Sequence, residues 1–214
     1  MRALLNKELR LAMHPAALMF LALSAMLLIP SYPYCVVFFY TGLGIFFICL
    51  NGRETNDIGY TLLLPVRKRD AVTARFLTAL LLEGTQLLLA VPFALLRADF
   101  GTPNEAGMDA NAALFGCALA LLGLFNFAFF RRYYRAPDKV GRAFFIASAE
   151  YFAGMLVLES LCFAVPFVRE RLDTQDPAHL PERLAVLALG AAVFGLCTAL
   201  AHKKAVRSFE SLDF

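Results

Sequence analysis

The sequence predicts an all-α integral membrane protein of six transmembrane helices, with an interfacial elbow helix at the N-terminus and both termini cytoplasmic. Three observations predict it. The chain is 60% hydrophobic and 17% charged, against about 45–50% and 25% in soluble domains. Its apolar runs are long enough to cross a bilayer and are separated by short polar connections. Its basic residues alternate between those connections. The N-terminus, residues 51–75, residues 131–142 and the tail hold sixteen of the twenty Lys and Arg, and the other connections hold four. Basic connections stay on the cytoplasmic side, which fixes the orientation.

Each element follows in order, within a single transmembrane domain covering residues 1–214. Residues 1–14 place Leu4, Leu5, Leu9 and Met13 at near-helical spacing with Arg2, Lys7 and Arg10 between them, as in a basic amphipathic helix on the membrane surface. No small-residue cleavage site follows, so no detachable signal peptide is expected. Pro15 permits a bend into a short first span, about 16–30, only about 20–22 Å long. Pro30 and Pro33 break it, and Tyr32 and Tyr34 suit an interface. The second span, 34–50, carries Gly42 and Gly44 for close helix approach. The third, 71–96, holds Glu83 and Gln86. A Gly/Pro/Asn-rich loop over 97–111 leads to the fourth, 112–130. The basic block 131–142 follows, expected to anchor the topology and to attract anionic lipid. The fifth, 143–168, contains Glu150 and Glu159, and the sixth is 184–201.

Several activities find no footing. The chain has no G-x-x-x-x-G-K-[ST], no G-x-S-x-G and no H-E-x-x-H. His14, His179 and His202 are scattered, and the five cysteines fall singly in apolar runs without ligand spacing. No metal, no nucleic-acid partner and no catalytic residue is expected, so the chain is not read as an enzyme. The intramembrane carboxylates are the remaining chemistry. Glu150 and Glu159 point to opposite faces of one helix, being about 180° apart. Glu150 is expected to pair with Arg142 or a neighbouring loop arginine. Glu83, Gln86 and Glu159 either line a substrate pathway or tie helices together through hydrogen bonds. A membrane-embedded enzyme would need Glu83 and Glu159 brought face to face.

The stretch Asn51–Arg75 is the only long polar insertion between apolar segments in the first half of the chain. Asn56 or Asp57 is placed to cap a short helix reaching Leu64, and Pro65 to open a second helix running through Arg75 into the third span. The order Arg53-Glu54, Asp57, Leu64-Pro65-Val66, Lys68-Arg69-Asp70, Val72 and Arg75, with Lys7-Glu8-Leu9-Arg10 upstream, resembles ABC-2 type transporter permeases. Within them it is similar to the short six-span bacterial permeases encoded apart from their ATPase.

The resemblance implies a permease subunit of an ABC transporter in the bacterial cytoplasmic membrane. Residues 51–70 would be its coupling segment, seated on an ATP-binding subunit through Glu54, Asp57, Leu64, Pro65, Lys68, Arg69 and Asp70. It implies a second permease copy or a related permease as partner, membrane lipids around both, and ATP with Mg bound only by the partner subunit. The short external loops favour export of an amphipathic, peptide-like or drug-like substrate over a polymer. The competing expectation is a scaffold or sensor subunit that docks a cytoplasmic partner through 51–75 without transporting anything.

Overall fold

Met13 and His14 leave helical geometry ahead of Pro15, and there the chain turns sharply. In the computed structural model, which describes residues 1–100 and 104–212, α1 (Arg2–Lys7) continues as a π-helical turn to Ala12. This first segment meets the next, α2 (Pro15–Ala22) extended by a 3₁₀ turn to Leu28, at 82°. The His14 ring accepts the Ala16 N–H at 3.1 Å and so caps α2, whose first residue, Pro15, has no N–H to satisfy. The α2 segment spans about 24 Å, short of a hydrocarbon core of about 30 Å. Among the described residues five helices are individually long and apolar enough to cross a membrane, or up to six if the bent pair counts as one span.

The five are α3 (Tyr34–Glu54), α5 (Lys68–Asp99), α6 (Ala112–Tyr133), α7 (Val140–Ala164) and α8 (Leu180–Glu210). No strand occurs among the described residues. Most of these helices run past the expected apolar boundaries, because polar ends stay helical beyond the hydrocarbon. Helix α7, expected to reach Val168, instead stops at Ala164, where Val165 is extended ahead of Pro166. The expected loop over 97–111 begins only after Asp99, and its residues 101–103 lie outside the described residues, as do 213–214.

Helix α6 is the axis of the packing, with α3, α7 and α8 around it. Backbones touch where α6 meets α8. A Cβ on Gly190 would overlap the Gly116 carbonyl oxygen, and one on Gly123 would lie 2.7 Å from the Phe194 Cα. Gly42 packs under the Phe125 ring, and Gly44 lies against Ala17 and Leu82, the close approaches expected of them. A ladder of rings fills the core between α3, α6 and α7, including the Phe46–Phe144 pair at 4.3 Å between centroids and Phe39–Phe152 at 4.6 Å.

The bundle has two unlike ends. At one, the four basic segments meet. Lys7 pairs with Asp57, Arg53 donates to the Asp138 carbonyl at 3.5 Å, and Lys68 donates to the Leu212 carbonyl at 2.5 Å. At the other, the connections interlock. Asn104 donates its N–H to the Asp109 carboxylate at 2.6 Å, and Asp109 in turn donates its N–H to Asp173 at 2.6 Å. Asn111 caps α6 through the Ala113 and Leu114 N–H groups while its amide donates to the Leu172 carbonyl at 2.7 Å. Buried Arg183 ties down the carbonyls of Thr174 and Asp176.

Candidate functional site

The polar projection begins where α3 ends. Asn56 adopts φ 51°, the left-handed turn that asparagine tolerates better than most residues, and the chain reverses there into α4 (Asp57–Leu62). A Cβ on Gly59 would lie 2.7 Å from the Asn56 amide, so that position must be small for the reversal to close. After α4, the Val66 N–H bonds the Leu64 carbonyl at 2.7 Å in a tight turn and Arg67 is extended. The next helix, α5, therefore opens at Lys68. Pro65 is in the turn and not at the first helical position, a correction to the expectation that a helix would open there: the Leu64–Val66 turn occupies those backbone groups.

Beneath the projection lies an ion cluster from three segments. Lys7 donates to Asp57 Oδ1 at 2.7 Å and to Thr61 Oγ1 at 2.9 Å, and lies 3.1 Å from Glu8 Oε1. Arg75 donates through Nη2 to Asp57 Oδ2 at 2.6 Å and to Glu8 Oε1 at 3.1 Å, and its Nε pairs with Glu8 Oε2. Two cations meet two anions, so the cluster is neutral. Glu8 and Arg75 are 3% and 5% exposed, which makes the pair a buried one whose charges depend on each other. Tyr133, Tyr134 and Phe209 wall the small cavity of about 20 Å³ beside it. Gly52 leaves room for the guanidinium, since a Cβ there would lie 3.1 Å from Arg75 Nη1.

The cluster holds the root of the projection and leaves its tip bare. Tyr60, Leu63, Leu64 and Pro65 are exposed, Leu63 at 82%. Glu54 and Arg69 are exposed where the projection leaves α3 and enters α5, and Lys68 and Asp70 are half-buried. A surface that is apolar at its centre and charged at its rim is the form a protein-docking site takes.

Searches of protein-family models, of curated proteins and of solved structures find no match to this chain.

A second polar group lies deep in the helices. Glu83 is fully buried on α5, about 22 Å along the helix from Lys68. Asn126 donates to Glu83 Oε2 at 3.2 Å and lies 3.3 Å from Thr198 Oγ1, so the group joins α5, α6 and α8. Gln86 donates to the Val37 carbonyl at 3.5 Å. Glu83 Oε1, Gln86 Oε1 and Asn126 Oδ1 have no hydrogen-bond partner, an unusual surplus of buried acceptors. Glu159 sits elsewhere, half-buried on α7 with its carboxyl against Gly107 at the interlocked end. Glu150 pairs with Arg132 at 2.8 Å, an arginine of the basic block other than Arg142. Among the described residues no group of three or more His, Cys, Asp or Glu could hold a metal ion.

Of the seven residues expected to contact an ATP-binding subunit, Asp57 alone enters the ion cluster, facing inward, and it meets there Lys7, Glu8 and Arg75 of the segments that carry the resemblance. Its principal partners, Lys7, Glu8 and Arg75, were each visible as charges interrupting apolar periodicity. A basic residue one turn inside an apolar helix and an acid on an amphipathic N-terminal helix form a pairing signal, but nothing in the spacing joins residues 67 positions apart. Asn126 and Thr198 gave no signal at all, being common small polar residues in spans.

Proposed function

We propose that this chain is the membrane-spanning permease subunit of an ABC transporter in the bacterial cytoplasmic membrane, both termini cytoplasmic and the α1 segment an elbow at the membrane surface. A separate ATP-binding subunit supplies the energy, and the substrate is amphipathic, peptide-like or drug-like and exported. The working unit pairs it with a second permease, identical or related. The observation that carries this reading is the projection 54–70: its bare apolar tip is set on an ion cluster that joins α4 to the head of α5. A push on the tip is then delivered to α5 without loss in a slack loop. Further along α5, Glu83 and Gln86 carry acceptors without partners, which makes the deep polar contact one that α5 can exchange as it moves.

Asp57 acts in this scheme as a positioning residue, holding Leu63, Leu64 and Pro65 in place. Glu54 and Arg69 form the charged rim. Co-purification with an ATP-binding subunit, followed by ATPase assay in reconstituted membranes, tests the reading. Charge reversal at Glu54 or Arg69 lowers permease-stimulated ATPase activity several-fold while thermal stability stays within about 0.5 kcal/mol, as expected of surface sites. Unchanged stimulation in both variants would remove the projection from the coupling path. A chain that binds a cytoplasmic partner but stimulates no ATPase would be a docking scaffold.

A further inference from the structure

The basic end carries a second concave surface, separate from the projection. One groove, about 320 Å³, lies in the α6–α7 turn and is lined by Arg132, Arg135, Lys139 and Arg142 with Ala143 and Ile146 at its floor. A second, about 510 Å³, opens between the ends of α6 and α8 and is lined by Arg131, Arg132, Arg135, Lys204 and Arg207. Arg132 and Arg135 border both, so the two grooves share one cationic ridge.

The cations are crowded more closely than their own repulsion favours. Arg131 and Lys204 stack on the same Phe127 ring, at 5.1 and 4.7 Å from its centroid. Three acids nearby leave the seven lining cations in excess. Glu150 pairs with Arg132 at the edge, Asp138 lines a different groove beside Arg53, and Glu210 is exposed one turn beyond Arg207 on α8. One to two turns toward the apolar body of these helices, Phe145, Leu200 and Leu124 are exposed at 74%, 42% and 40%. Paired cationic grooves directly above bare aliphatic and aromatic helix faces match the two parts of one ligand, an anionic headgroup and its acyl chains.

We propose that these grooves form a binding site for an anionic phospholipid bearing two phosphodiesters, one phosphate in each groove and the ridge of Arg132 and Arg135 between them. Arginine suits this role because its planar fork donates to two phosphate oxygens at once. The acyl chains lie along α6, α7 and α8 beside Leu124, Phe145 and Leu200. The site depends on the membrane-spanning architecture and not on the transporter reading, so either stands if the other fails.

Native mass spectrometry of the full chain, released from phosphatidylcholine membranes doped with cardiolipin or with phosphatidylglycerol, tests it. Wild type retains cardiolipin, and Arg135→Gln/Arg207→Gln retains about tenfold less or lower still, since each cation near an anionic headgroup contributes measurably. The charge-conserving Arg135→Lys/Arg207→Lys keeps most of the retention, and Arg2→Gln/Arg10→Gln, at the same end but lining neither groove, keeps all of it. Matching size-exclusion profiles show that each variant is folded. Equal loss in the Arg2/Arg10 pair would mean diffuse attraction to anionic lipid and overturn a site. Equal retention of phosphatidylglycerol would overturn the two-phosphate geometry. Displacement of bound lipid by inorganic pyrophosphate at matching concentration would assign the grooves to a soluble phosphate. Intact lipid retention with lost capture of an ATP-binding subunit would make them a protein-docking face.

Discussion

Arg75 illustrates how a single buried charge organises its surroundings. It has two carboxylates as partners, and Lys7 shares both, so removing any member leaves a neighbour uncompensated where water cannot help. Arg75→Met is therefore expected to destabilise by about 3–5 kcal/mol, and Glu8→Gln by a similar or smaller amount. The double variant should cost less than the sum of the two, because neither charge is then left alone. Thermal unfolding in lipid nanodiscs checks this, and strict additivity would show that the pair is not coupled. At the other end of the bundle, burial pushes the Asp173 carboxyl up to about 6, helped by the neighbouring Asp109 carboxylate and opposed by the Asp109 N–H it accepts. A carboxyl with a raised folded-state pKa favours the folded form when protonated. That stability is complete below about pH 4 and is lost as pH rises through 6. Asp173→Asn keeps the acceptor and removes the titration. Wild type should lose stability relative to this variant between pH 4 and 7, on the order of 1 kcal/mol after allowance for solvent screening of a half-exposed group. Parallel melting curves across that range would refute the assignment.

Helices make different demands at apparently similar glycines. Gly116 and Gly190 let α6 and α8 meet backbone to backbone, and the added methyl of Gly190→Ala has nowhere to go. Separating the two helices forfeits dispersion contacts along their whole seam, so Gly190→Ala is expected to cost about 1–3 kcal/mol. A methyl on Gly84 or Gly195 would meet nothing within 4 Å, and alanine there should be neutral or gain up to about 1 kcal/mol from helix propensity. Comparing melting temperatures of the three alanine variants checks both signs at once. The span pattern was legible from apolar runs, and the break before Pro15 from the proline itself. The tight α6–α8 seam was not, because glycines on α6 and α8 read the same in sequence whether they face a helix or lipid.

For the whole molecule, the polarity of the bundle matters most. Sixteen basic residues lie in segments that meet at one end through Lys7–Asp57, Arg53–Asp138 and Lys68–Leu212 contacts, and the Asn104–Asp109–Asp173 network closes the other. Basic residues resist translocation, so the first end is expected to face the cytoplasm. A cysteine at exposed Leu63 should react with a membrane-impermeant maleimide only after the membrane is opened. One at exposed Glu105 should react in intact cells. The five native cysteines are buried or half-buried and give little background. Reversed labelling would invert the topology and with it the proposed contact with ATP-driven machinery.

By itself the sequence determined the class of the molecule, most of its spans and the charge asymmetry between its ends. These depend on transfer free energies summed over contiguous residues, which any window along the chain records. Only the tertiary structure decided that Asp57 turns inward to Lys7 and Arg75, that Glu83 meets Asn126 and Thr198, and that α6 and α8 meet backbone to backbone. Each of those depends on a meeting between residues far apart in the chain. The energies involved are pairwise and directional, so they exist only once the helices are in place.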